Sequence, residues 1–397
     1  MTARRCGALF LAALACRTTG PEASNSSDAS GSVDAGVNDG GGGNSSASAN
    51  IDCDAAAPFT HPPFDAGRIQ NISPLGNLNP PAHTLPTDHI YLCFDKNLPP
   101  LDFIAPGAMK VTWTTLTEYI VSPFRQGLKD YALSATYCAT TIDGGTPAEA
   151  RLSFSHVSSV VAALDIDGGT ATCTTYTAGD ETVRACGVGV SVFVDAGERL
   201  GTLTGAASSC FDVGLYDGRT QNGLDPARYP AQARSTACPL DLYEPTLRTS
   251  LYALLGSGGQ LRTIEPRCGS NVVDVAGTAQ GNWFRPDAGF YDERSHISLS
   301  PNNVDPTRLT FSIGTLAGTA SGSYMFTPTT DGGAINRAFN LVAPSDAGSC
   351  YEASSGGQAT RFVLQLLSTT SLKIEGQGIG TCGASWAFDG GAETFER

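Results

Sequence analysis

Arg151-Leu152-Ser153-Phe154-Ser155-His156-Val157-Ser158-Ser159 alternates apolar Leu152 and Phe154 with the hydroxyls of Ser153 and Ser155, the two-residue period of a strand with one buried face. Short runs of the same kind, rich in β-branched and aromatic residues, recur over 89–95, 109–117, 188–195, 308–314 and 361–368. Turn punctuation falls between them. Asp-Gly-Gly stands at Asp143, Asp167, Asp331 and Asp389, and Asp-Ala-Gly at Asp65, Asp195, Asp287 and Asp346. Such residues tolerate the positive φ of tight hairpin turns. Short strands joined in this way predict an all-β chain of sandwich or barrel units. One helix signal interrupts them at 245–255, where Pro245 opens the segment, Leu247, Leu251 and Leu255 share a face, and Gly256 follows.

The strand-rich region, 51–397, is too long for one sandwich. The reading is a β-sandwich over 51–148, a second over 149–275 that contains the short helix, and a C-terminal β-rich domain over 276–397. Arg68-Ile69-Gln70-Asn71-Ile72-Ser73-Pro74 and Arg151–Ser158 each open on Arg, run through a strand-like stretch and end near Ser. Arg151 followed by His156, Ser158, Ala163, Leu164 and Asp165 resembles the opening motif of an immunoglobulin-like domain of unknown function. That domain occurs, often in tandem, in secreted and lipid-anchored bacterial proteins. The first copy carries the likeness through Arg68, Asn71, Ser73 and Pro74, then Ile90 to Phe94, and the likeness spans about 68–220. It implies tandem immunoglobulin-like sandwiches outside the cytoplasm and brings no activity with it.

The N-terminus agrees with that address. Arg4 and Arg5 precede the short apolar run Cys6–Leu14, and Ala13-Leu14-Ala15 offers a cleavage site directly before Cys16. Residues 1–15 read as a signal peptide, with 16–50 as a lipidated Cys16 followed by a disordered Ser/Gly/Asp-rich linker. The site resembles a bacterial lipobox, with Ala13 where Leu is preferred and Leu14 where a small residue is usual. The alternative is plain cleavage and secretion. Cysteine parity bears on the choice. Of the 12 Cys, Cys6 leaves with the signal and Cys16 takes the lipid, so an even set remains: Cys53, Cys93, Cys138, Cys173, Cys186, Cys210, Cys238, Cys268, Cys350 and Cys382. None lies in a C-x-x-C pair, so disulfides of an oxidising compartment are expected rather than zinc. Connectivity stays open, with Cys173–Cys186 and Cys350–Cys382 the pairs that close short loops. The expected location is an outer-membrane or cell-surface lipoprotein.

Chemistry is harder to find. A net charge of −14, with 24 basic against 38 acidic residues and no basic cluster, argues against nucleic acid as a partner. No HExxH, G-x-S-x-G or phosphate-loop motif occurs. Ser155 and His156 are adjacent, but strand neighbours point to opposite faces, so adjacency predicts no dyad. The Asp165–Gly169 turn lacks the alternate ligands and closing Glu of a calcium loop. No catalytic residue, metal or cofactor is therefore expected. Trp113 reads as core, whereas Trp283, Phe284 and Tyr291 are the candidate ligand-facing aromatics. The functional expectation is a non-enzymatic envelope lipoprotein, anchored to the membrane by its lipid, that binds or scaffolds an envelope protein or glycan. An extracellular hydrolase or glycan-active protein is the alternative.

Overall fold

A computed structural model describes residues 51–397 apart from 143–144, 167–170, 179–180, 331–332 and 384. Cys16, the signal and linker, and the Asp143, Asp167 and Asp331 turns lie outside the described residues. The described chain is predominantly β. It opens with β1 (Ile69–Ser73), β2 (His89–Phe94), β3 (Leu101–Ile104), β4 (Met109–Val121) and β5 (Lys129–Ile142). Then come β6 (Thr146–Val157), β7 (Ser159–Val160), β8 (Thr172–Ala178), β9 (Glu181–Val194), β10 (Arg199–Leu203) and β11 (Cys210–Asp217). A short helix α1 (Ala231–Arg234), β12 (Thr236–Ala237), helix α2 (Pro245–Tyr252), β13 (Gly256–Ser257) and β14 (Gln260–Leu261) complete this part. The predicted helix is thus α2, and Gly256 opens a small hairpin with Leu261 instead of capping it.

The large sheet is antiparallel in the order β1-β2-β11-β6-β5-β4-β9-β8, with β12 added beside β11. Alternation gives it one apolar face. Ile90 and Leu92 of β2, Phe211 and Val213 of β11, Leu152 and Phe154 of β6, and Leu133 and Ala135 of β5 are all buried. The three-stranded sheet β3-β10-β7 covers part of that face. Phe103 of β3 lies 5.3 Å from the Phe154 ring and 4.9 Å from the Phe211 ring, so the two layers share one core. Burying each such ring contributes about 1.5–3 kcal/mol.

Two sandwiches in tandem over 51–148 and 149–275 are not what forms. The boundary between 148 and 149 falls inside β6, and β11 inserts between β2 and β6. Strands from both expected domains therefore complete a single sheet. The two similar stretches at Arg68 and Arg151 fall in the same sheet, one entering its edge strand β1 and the other in the middle of β6 near its centre. Trp113 also departs from the core reading. It is half-buried, its ring lies against Gly187 of the adjacent β9, and its indole N–H donates to Thr115 Oγ1 at 3.1 Å.

The C-terminal part is a meander of eight strands: β15 (Gly281–Trp283), β16 (Ile297–Pro301), β17 (Leu309–Ile313), β18 (Gly322–Phe326), β19 (Ser349–Ser355), β20 (Gln358–Ser368), β21 (Ser371–Ile379) and β22 (Glu393–Glu396). Each pairs with the next. Phe284, just past β15, exchanges two backbone hydrogen bonds with Glu396 of β22, at 2.7 and 2.8 Å. First and last strands thereby meet, and an up-and-down barrel results, which leaves no long free edge. Its interior is filled by side chains, among them Phe311 stacked on Phe362 at 4.5 Å.

Five disulfides bind the described chain: Cys53–Cys138, Cys93–Cys210, Cys173–Cys186, Cys238–Cys268 and Cys350–Cys382. The set pairs completely, and both short-loop pairs form. Such a set implies folding in an oxidising compartment. Among the described residues no helix is long and apolar enough to cross a membrane.

Candidate functional site: a histidine–aspartate cleft

The polar face of the large sheet, opposite the shared core, is where titratable side chains converge. It carries His89 from β2, Asp212 from β11, Ser155 and His156 from β6, Asp130 from β5, Thr117 and Tyr119 from β4, and Glu181 from β9. Antiparallel register sets these residues side by side. Asp212 stands opposite Ser155 on one flank, and Thr117 opposite Asp130 on the other. His83, Arg125 and Tyr176 add to the rim of a cleft of about 420 Å³, within the range of small-ligand sites.

His156 reaches this face only because its strand is bulged. Tyr131 pairs with Val157 and Leu133 with Phe154, so Ser155 and His156 together face the single residue Ala132. His156 takes φ 69°, a left-handed conformation rare outside glycine. The extra residue returns Val157 to the core side and leaves both Ser155 and His156 lining the cleft. Period-two reasoning would have put His156 on the core side with Phe154.

Five side chains then form an alternating line across four neighbouring strands and the residue before the first. Asp88 Oδ1 lies 3.0 Å from His89 Nδ1, and His89 Nε2 lies 3.6 Å from Asp212 Oδ2. Asp212 Oδ2 is 3.3 Å from His156 Nε2, and His156 Nδ1 is 2.7 Å from Asp130 Oδ2. The ring nitrogens of His156 are therefore taken by two carboxylates and not by Ser155. Burial opposes charge on His156, but the hydrogen bonds to Asp130 and Asp212 outweigh it and push its pKa up to about 10. His89 is also raised, since its bond to Asp88 and the Asp212 charge overcome burial. Asp88 is lowered: burial pushes it up, but the bond to His89, the His89 charge and the bond from Gln232 together outweigh that cost. His83 goes the other way: burial, then the neighbouring His89 charge, bring it down to about 4. At neutral pH the cleft thus holds His156 as an imidazolium and His83 as a neutral imidazole, with His89 shifted toward its charged form.

A second network braces the far wall. Arg125 pairs with both oxygens of Glu181, and Ser122 Oγ also donates to Glu181. Arg125 Nη1 donates to the Tyr119 hydroxyl at 2.9 Å, and that hydroxyl donates to Asp130 Oδ2 at 3.3 Å. Two oxygens are left over. Asp130 Oδ1 and Asp212 Oδ1 are buried without a hydrogen-bond partner, on residues only 8% and 9% exposed. An unsatisfied buried acceptor costs about 1–3 kcal/mol, more when charged. Among the described residues no three His, Cys, Asp or Glu side chains stand close enough to share a metal ion.

The sequence-predicted aromatics do not assemble a ligand face. Trp283 is fully buried inside the barrel, with its indole N–H donated to Ala279 O at 2.9 Å and the Arg397 guanidinium 4.4 Å above its ring. Phe284 packs with Leu85, Leu224, Tyr229 and Ala233. Only Tyr291 is exposed, at 40%. Gly281–Trp283 is a barrel strand, and its alternation turns the Trp283 ring into the barrel core. The cleft was missed because its members are dispersed from His83 to Asp212 and converge only through strand pairing. No family model, curated protein or solved structure matches the chain.

Proposed function

We propose that this is an exported envelope protein, tethered to a membrane through an acylated Cys16, that binds the hydroxyl-rich end of a glycan or a similar polyol in the cleft and releases it unchanged. The observation that carries the reading is the pair of unpartnered carboxylate oxygens, Asp130 Oδ1 and Asp212 Oδ1, buried on two residues that line one cleft. They call for donors from a ligand. The cleft's neutral imidazole at His83 and hydroxyls at Ser155 and Thr117 offer groups that donate or accept in turn. A hydroxyl supplies both functions at once, which an ammonium or a phosphate does not. Tyr176 adds a flat ring of the kind that stacks on the apolar face of a sugar.

A glycan array followed by titration calorimetry tests this. Wild type is expected to bind a neutral glycan, with Asp130→Asn and Asp212→Asn each weakening it about tenfold or more, as loss of a charged hydrogen bond implies. Binding unchanged in both variants removes the cleft from the account. The competing reading is an extracellular glycan-active hydrolase. It draws on His156, held at positive φ between two carboxylates, because backbone strain gathers at active sites. Release of new reducing ends from the bound glycan would replace the binding role with that one. For the anchor, incorporation of labelled palmitate is compared in wild type and Cys16→Ser. Equal incorporation leaves a plainly secreted protein.

A further inference from the structure

The stretch between β1 and β2 brings His83 to the cleft, and the C-terminal barrel holds that stretch. Leu85 N–H donates to Glu293 Oε2 at 3.0 Å. Asn303 Nδ2 donates to Pro74 O at 3.0 Å, and Ser323 Oγ to Leu78 O at 3.3 Å. These three side chains come from separate places: the 3-10 turn before β16, the turn after it, and β18. A row of small residues lets the stretch approach, since Ser298, Ser312 and Ser323 stand abreast across β16, β17 and β18. Ser298 and Ser312 are fully buried although they alternate with residues of the barrel core. Leu85 closes the contact among Leu224, Tyr229, Ala233 and Phe284.

Inside the stretch, Asn79 and His83 exchange backbone hydrogen bonds at 2.8 and 3.0 Å. Fixing Leu78 on one side and Leu85 on the other therefore fixes the turn that presents His83. Without external holders a connection of this length loses little by opening, since each ordered residue costs roughly 1–2 kcal/mol of backbone entropy.

We infer that the C-terminal barrel is the positioning element of the cleft, holding the 74–87 connection through Glu293, Asn303 and Ser323 so that His83 forms one of its walls. The inference rests on the cleft's being the functional face, and it gives the C-terminal third a task in the same site. Its test needs no ligand, so failure of the glycan reading leaves it standing or falling on its own.

Imidazole ring signals of the full-length chain are followed by NMR across pH, with His83→Gln identifying the His83 signal among the five histidines. In wild type the His83 midpoint is expected at about 4, because burial and the neighbouring His89 charge lower it. Glu293→Ala is expected to release the turn and carry that midpoint toward the ordinary 6.5, while His156 keeps its raised value. Glu293→Gln retains an acceptor oxygen for Leu85 N–H and is expected to preserve the low midpoint. That rescue separates positioning from simple loss of a charge. Should Glu293→Ala fail to fold, the double variant Asn303→Ala/Ser323→Ala asks the same question from the other side. A His83 midpoint unmoved in every folded variant overturns the inference, as does an equal shift in Glu293→Ala and Glu293→Gln.

Discussion

At the scale of single residues, His156 combines two costs that one interaction offsets. Its left-handed backbone is unfavourable for any side chain with a Cβ, and its ring is taken largely out of water. The carboxylates of Asp130 and Asp212 stabilise it in the charged form. His156→Ala removes the cation and leaves both carboxylates facing each other across an empty place. The expected loss is about 2 kcal/mol at pH 6, below the 3–5 of a fully buried pair because the ring keeps 23% of its exposure. The sign with pH follows from the raised pKa. Stabilisation by the imidazolium is complete below the ordinary value of 6.5 and disappears as pH rises through about 10. Denaturant midpoints of wild type and variant should therefore draw together between pH 6 and 10.5. A constant gap would assign the effect to packing. His156→Gly should exceed His156→Ala in stability by about 1 kcal/mol, since only glycine takes this φ without steric cost.

At the scale of elements, the strands were legible and their partners were not. The runs 89–95, 109–117, 188–195, 308–314 and 361–368 all fall on strands, because alternation is a local property that each segment carries by itself. Which strand lies beside which depends on the whole chain. Nothing local in Phe211-Asp212-Val213 says that it inserts between β2 and β6. The bulge at His156 was equally hidden, since one extra residue reverses which face every later side chain takes. The disulfides report this difference between local and distant pairing. Cys93–Cys210 closes a separation of 117 residues across β2 and β11, whereas Cys173–Cys186 closes 13 within one hairpin. By loop-closure entropy the first stabilises more, by roughly 2 kcal/mol. Double Cys→Ser variants compared by urea unfolding should show that order. Equal losses would mean that the β2–β11 pairing persists in the unfolded chain.

At the scale of the molecule, the barrel depends on its last strand. Glu393–Glu396 pairs with β21 and, one step on, Glu396 closes the ring against Phe284. Phe395 is fully buried in the barrel core, and Arg397 donates to the carbonyls of Gln280, Thr278 and Thr369 while lying over Trp283. Removing residues 393–397 thus takes away a strand, a core ring and the cover of a buried indole together. Phe395→Ala alone should cost about 3–5 kcal/mol, with Trp283 emission moving to longer wavelength as water reaches its ring. Trp113 and Trp386 are both partly exposed already, so the change reports chiefly on Trp283. Because the same barrel holds the connection that bears His83, the deletion should also raise the His83 titration midpoint from about 4. One signal reports on the barrel interior and the other on the cleft. If Trp283 becomes exposed while His83 stays where it was, the barrel and the cleft are independent, and the cleft's wall is held by the large sheet alone.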